Sequence, residues 1–144
     1  MLTSQFHHAL VAWDGSPDAQ AAVEQALRLV GREGSVEALV VVDPGESTET
    51  RGSHDRAVDA GRQVAEEALE PFMEEAAHAH TRLRLVFLEG DDPVAAVLHH
   101  AEHHGADLIV VGRRGASGRL HSGLGPVAHG LAAKGRLPVL VTGE

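Results

Sequence analysis

The stretch Ala106-Asp-Leu-Ile-Val-Val-Gly112-Arg-Arg-Gly115-Ala-Ser-Gly118-Arg-Leu-His-Ser-Gly123-Leu-Gly125-Pro126 decides the fold. Asp107 to Val111 is a short, continuous apolar run of the kind buried on both faces of a parallel sheet. Val127 to Lys134 reads as a helix. A glycine-rich loop between a strand and a helix lets backbone N–H groups converge on a phosphate. Glycine permits close approach, and the helix N-terminus adds partial positive charge. The loop carries Arg113, Arg114 and Arg119 and no acid. Its spacing is neither G-x-x-x-x-G-K-[ST] nor G-x-G-x-x-G, since position 128 is Ala128. Gly112, Gly115 and Gly125 instead stand as G-x2-G-x9-G.

Outward from that loop the same alternation repeats. Ala9 to Trp13 reads as a first apolar strand, ending in Asp14-Gly-Ser16-Pro17. Ser16 suits an N-cap and Pro17 the first helical position, and Ala19 to Val30 carries apolar residues at helical spacing. Val36 to Val42 reads as a second apolar strand buried on both faces. A polar stretch from Asp43 to about Asp55 reads as the longest loop, either a lid over a ligand or a plain solvated connection. Arg56 to His80 has a helical pattern that Pro71 should kink or divide. Leu83 to Leu88 reads as the third strand, and Asp91 or Asp92 caps a helix over Val94 to His104, which Gly105 closes. After the fourth strand, the loop and its helix, Gly135 stops the chain's last helix and Pro138 to Thr142 reads as a final strand. Alternating β and α elements with apolar strands predict an α/β fold, a five-stranded parallel sheet with helices on both faces, in one domain over residues 1–144.

Composition narrows the function classes. Hydrophobic residues are 43% of the 144, aromatics only 3%, so the core is built from Leu, Val and Ala. A net charge of −9 argues against nucleic acid or an anionic membrane as partner. A nucleotide would need a locally basic site, which the glycine loop supplies. Without cysteine, thiol catalysis and thiolate metal sites fall away. No segment has the length of a membrane span, and the expectation is a soluble cytoplasmic protein.

Other constellations read less sharply. His99-His-Ala-Glu-His103-His104 sets two histidine pairs four apart on a helix, a spacing zinc sites use. A third ligand is missing, and histidines also suit a helix C-terminus, so no metal site is assigned. His7, His8, His78 and His80 read as isolated in the same way. No G-x-S-x-G elbow and no acid–base carboxylate pair stands out, so no catalytic residue is assigned. A slow ATPase remains the enzymatic alternative.

Asp14-Gly15-Ser16 after the first strand, the Gly90-Asp-Asp-Pro93 turn, Ala106 to Gly112, the glycine loop and Leu137-Pro-Val-Leu-Val141 stand in the order and spacing of universal stress proteins. The glycine trio resembles that family's G-x2-G-x9-G-[ST] signature, and the resemblance spans essentially the whole chain. It implies strand order 3-2-1-4-5, a Rossmann-like doubly wound sheet, and a homodimer joined through the C-terminal edge strand that works with an unidentified protein partner. It also implies an adenine nucleotide (ATP, ADP or AMP, with Mg2+ accompanying the phosphates) beyond the carboxyl ends of strands one and four. Carried over, Asp14 would contact the adenosine part and the backbone of Val42 would hold adenine. Gly112, Gly115 and Gly125 would approach ribose and phosphates, with Arg113, Arg114 and the helix start at Pro126 and Val127 beside them. For Asp14 the plain alternative is a turn or cap, and for the two arginines a solvated surface.

One departure stands at the signature's last position, where Pro126 replaces Ser or Thr. Proline fits a helix's first position but brings neither hydroxyl nor N–H. Each hydrogen bond to a charged group contributes about 1.5–3 kcal/mol, so losing one or two weakens phosphate binding by about tenfold or more. Ser117 or Ser122 could compensate only through a different loop path. The expectation is a site with weakened phosphate affinity, and the alternative an interaction module of the same fold that binds no nucleotide.

Overall fold

The computed structural model describes residues 6–42, 51–114 and 124–143, with the backbone alone for 51–60. Its strands are β1 (His8–Ala12), β2 (Ser35–Val42), β3 (Arg82–Glu89), β4 (Leu108–Gly112) and β5 (Val139–Thr142). Its helices are α1 (Pro17–Val30), α2 (Arg51–His78), α3 (Pro93–His104) and α4 (Pro126–Lys134). All pairings are parallel and the order across the sheet is β3-β2-β1-β4-β5. The fold class and strand order are those expected from the sequence.

Local chemistry sets the helix ends. Ser16 Oγ accepts the Ala19 N–H at 3.1 Å with Pro17 next in line, so α1 starts where its cap and its proline put it. Asp92 caps α3 by accepting the Ala95 N–H at 3.2 Å, and Gly105 ends it with φ +68. Two corrections concern α2. It begins at Arg51, inside the stretch read as loop, and it runs through Pro71 undivided. Pro71 removes an N–H that would have bonded the carbonyl of Glu67, and both residues are on the exposed side of the helix, where losing a backbone partner costs least.

Alternation along the strands divides the core between two faces. Ala9, Val11, Val36 and Val110 pack against Ala22, Val23, Ala26 and Val30 of α1 and Leu69 of α2. Leu10, Leu39, Ile109 and Val111 pack against Val97 and Ala101 of α3 and Leu131 of α4. Burying each large side chain contributes about 1.5–3 kcal/mol, which is what holds helices to both faces.

The second strand is not apolar throughout. Glu37 lies within it, 1% exposed, where α3 covers the sheet. Its Oε2 meets His8 Nε2 at 2.8 Å and His100 Nε2 at 3.1 Å, and its Oε1 accepts from Arg84 at 2.5 Å. His8, read from sequence as isolated, is therefore part of a buried cluster. Its other ring nitrogen faces the His104 carbonyl at 3.1 Å. The backbone N–H groups of His7 and His8 donate to the Asp107 carboxylate at 2.8 and 3.0 Å, tying the start of β1 to the start of β4. Among the described residues no helix is long and apolar enough to cross a membrane.

Candidate functional site

β1 and β4 lie side by side, with Ala12 opposite Val111. The chain leaves β1 toward β2 on one side, while β4 leads to β5 on the other. Their carboxyl ends therefore part around a crevice, the place where open α/β sheets take ligands. The crevice has a volume of about 230 Å³. Leu39, Val41, Val97 and Trp13 give it an apolar floor, while Asp14, Arg113, Arg114 and the start of α4 ring its mouth.

Asp14 is exposed, and its Oδ1 accepts the Ser16 N–H at 3.0 Å. That contact is the turn the plain alternative describes, and Gly15 at φ +78 completes it. Among the described residues Oδ2 has no hydrogen-bond partner, so the same side chain shapes the turn and leaves one acceptor at the crevice.

The start of α4 offers donors. Gly125 is its N-cap without a side-chain cap, Pro126 holds the first helical position, and the His129 N–H returns to the Gly125 carbonyl at 2.9 Å. Among the described residues the N–H groups of Val127 and Ala128 find no acceptor, and both residues line the crevice. The N–H of Gly125 is already used, donating to the Arg113 carbonyl at 2.8 Å.

The residues expected from sequence mostly converge here. Asp14, Gly112, Arg113, Arg114, Gly125, Pro126 and Val127 all line the crevice. Val42 does not, although its neighbour Val41 does, and the Val42 carbonyl accepts the Gly90 N–H at 3.0 Å. Gly115, Arg119, Ser117, Ser122 and the 43–50 part of the expected lid lie outside the described residues.

Gly112 also has a packing role that sequence did not suggest. A Cβ there would stand 2.7 Å from the Asp18 Cβ and 3.0 Å from its carbonyl carbon. The first turn of α1 thus rests directly on the end of β4. Asp18 drew no attention in the sequence. Its contacts are with residues about a hundred positions away, and nothing local announces them.

This geometry sits in a chain whose residues 5–143 match the profile of the universal stress protein family. Universal stress protein YxiE of Bacillus subtilis (strain 168) is 31% identical over 153 aligned positions, covering 94% of this chain and 98% of that protein. The chain belongs to the universal stress protein family. Universal stress protein UspA from Lactobacillus plantarum shares the fold at a TM-score of 0.79 and 22% identity, over 98% of this chain and all of that one (100%). A family protein from Arabidopsis thaliana, solved with AMP bound, superposes at a TM-score of 0.63 and 16% identity, covering 94% and 90% of the two chains.

The histidine-rich end of α3 lies away from this crevice. The rings of His99 and His103 are 4.1 Å apart and those of His100 and His104 are 4.0 Å apart. His103 Nδ1 donates to the His99 carbonyl at 2.8 Å, and His100 is engaged with Glu37. Among the described residues no group of three or more His, Asp or Glu is arranged to hold a metal ion.

Proposed function

We propose that this universal stress protein is a cytoplasmic, non-enzymatic regulator that binds an adenine nucleotide in the crevice between β1 and β4, with a reduced contribution from the phosphates. The observation that carries the reading is the placement, around one crevice at the strand-order reversal, of the Asp14 Oδ2 and the N–H groups of Val127 and Ala128, all without partners among the described residues. The carboxylate oxygen suits the hydroxyls or amine of an adenosine. The helix start suits an anion. The AMP held by the Arabidopsis family protein supports the same ligand class.

Pro126 supports the reduced phosphate contribution, because the first position of α4 brings no N–H of its own. Mg2+ would enter only with a di- or triphosphate. Among the described lining residues the ionisable groups are Asp14, Arg113 and Arg114, a carboxylate and two guanidiniums, which form no acid–base couple. The reading is therefore a switch and not a catalyst. The edge strand β5 is the surface we assign to a homodimer, since an open strand edge invites pairing.

The test is thermal unfolding with millimolar adenosine, AMP, ADP and Mg-ATP, because a ligand that binds only the folded state raises the melting temperature by mass action. A rise with adenosine and AMP is expected. No rise with any of them would instead support the interaction module without nucleotide, a second reading that Pro126 favours. Sedimentation showing a monomer at high micromolar concentration would remove the dimer.

A further inference from the structure

We propose that Asp18 is a resident counter-anion that takes the donors a phosphate would use, so that the crevice selects its ligand by the nucleoside half. The proposal rests on the adenine-nucleotide reading above and goes beyond it in naming the class favoured: the nucleoside, with little gained from a phosphate.

Two donors of Arg114 converge on a single oxygen of Asp18. Oδ2 accepts the Arg114 backbone N–H at 3.2 Å and stands 3.6 Å from Arg114 Nε. A main-chain N–H and a guanidinium edge beside it are the pair a phosphate oxygen seeks at such a loop. Asp18 is not itself a lining residue, whereas Arg114 is, so the carboxylate acts from behind the crevice wall.

The position of Asp18 is built into the fold. Its side chain is 15% exposed. Thr142 Oγ1 donates to its carbonyl at 3.2 Å. Gly112 and Gly143 both leave room for it, since a Cβ at Gly143 would meet Asp18 Oδ2 at 2.6 Å. It also lies in the first turn of α1, where a carboxylate is favoured by the helix dipole.

Among the described residues, two further N–H groups beside the end of β4 are taken as well. Arg113 donates its N–H to the Thr142 carbonyl at 2.6 Å, and Gly125 to the Arg113 carbonyl. A phosphate that reaches from the start of α4 to the end of β4 must share Arg114 with a carboxylate that already holds it, against the repulsion of like charges. Adenosine, which carries no charge, meets no such competition.

Calorimetry on the full chain with adenosine and with AMP tests this. In the wild type, AMP should bind within about threefold of adenosine. Asp18→Asn keeps an oxygen for the Arg114 N–H but removes the charge. It should raise AMP affinity about tenfold while leaving adenosine unchanged. Adding Arg114→Ala to that variant should return the ratio to the wild-type value. Asp18→Ser, a good first-turn residue, serves if the Asn variant unfolds. An unchanged AMP-to-adenosine ratio in the charge-free variants overturns the proposal, as does a wild type that binds AMP more than about a hundredfold tighter than adenosine. Absence of adenosine binding in the wild type overturns the nucleotide reading and this inference with it. Adenosine binding with a flat ratio overturns the inference alone.

Discussion

Glu37 and His100 meet at 3.1 Å between β2 and α3, both shielded from water. Burial alone pushes the Glu37 carboxyl up. The hydrogen bonds from Arg84, His100 and His8, with the charge of His8, outweigh it and bring the group from an ordinary 4.5 down to about 2. The carboxylate thus joins β1, β2, β3 and α3 at the end of the sheet opposite the crevice.

A carboxyl whose pKa is depressed on folding adds stability above its unfolded value and loses it as pH falls through the folded value. A drop from 4.5 to about 2 corresponds to about 3 kcal/mol, fully present above pH 4.5 and gone below pH 2. Glu37→Gln should therefore lower stability by about 3 kcal/mol at pH 7, because it strips three partners of their anion. Denaturant titrations of both proteins from pH 7 to pH 2 should show the difference shrinking across that window. A difference that stays constant with pH would mean the Glu37 charge does not stabilise the fold.

Gly112→Ala tests the contact between β4 and α1. The added methyl would meet the Asp18 Cβ at 2.7 Å, and the Asp18 backbone beside it cannot swing away as a side-chain tip could. Overpacking of this kind costs about 1–3 kcal/mol. A melting temperature several degrees lower is expected, with the loss present in the absence of any ligand. An unchanged melting temperature would leave Gly112 with a ligand role alone.

The sheet was legible because each of its signals is local. Apolar strands alternate with helical patterns, and Ser16, Asp92 and Gly105 act where their chemistry suggests. The start of α2 was not, since Arg51-Gly52-Ser53 carries weak helix formers and reads as loop. The Glu37 cluster draws on residues 8, 37, 84 and 100, which no spacing rule connects. The available clue was a lone acid inside an apolar strand. The crevice residues came through the family resemblance and the strand-order reversal it implied. The partnership of Asp18 with Arg114, Gly112 and Gly143 could emerge only once α1 and the ends of β4 and β5 met.

Asp14→Asn separates the two roles of that side chain. The amide oxygen can still accept the Ser16 N–H, so the turn and the melting temperature should persist. The second position then becomes a donor, and the acceptor facing the crevice is lost. Adenosine affinity should fall about tenfold by calorimetry, in keeping with one lost hydrogen bond to a charged group. Equal affinity in the two proteins would take Asp14 out of the binding site.

Pro126→Ser asks how much the departure at the start of α4 matters. Serine is tolerated at a helix's first turn and brings back both an N–H and a hydroxyl beside the open N–H groups of Val127 and Ala128. One or two charge-assisted bonds regained should tighten ATP by about tenfold or more while adenosine is unaffected. The gain should grow further when Asp18→Asn is combined with it, because the serine adds donors and the second change removes a competitor for Arg114. Since both changes bear on the phosphate half of the ligand, the combined effect should differ from the product of the single effects. An ATP affinity that does not respond to Pro126→Ser in either background would place the phosphates away from the start of α4.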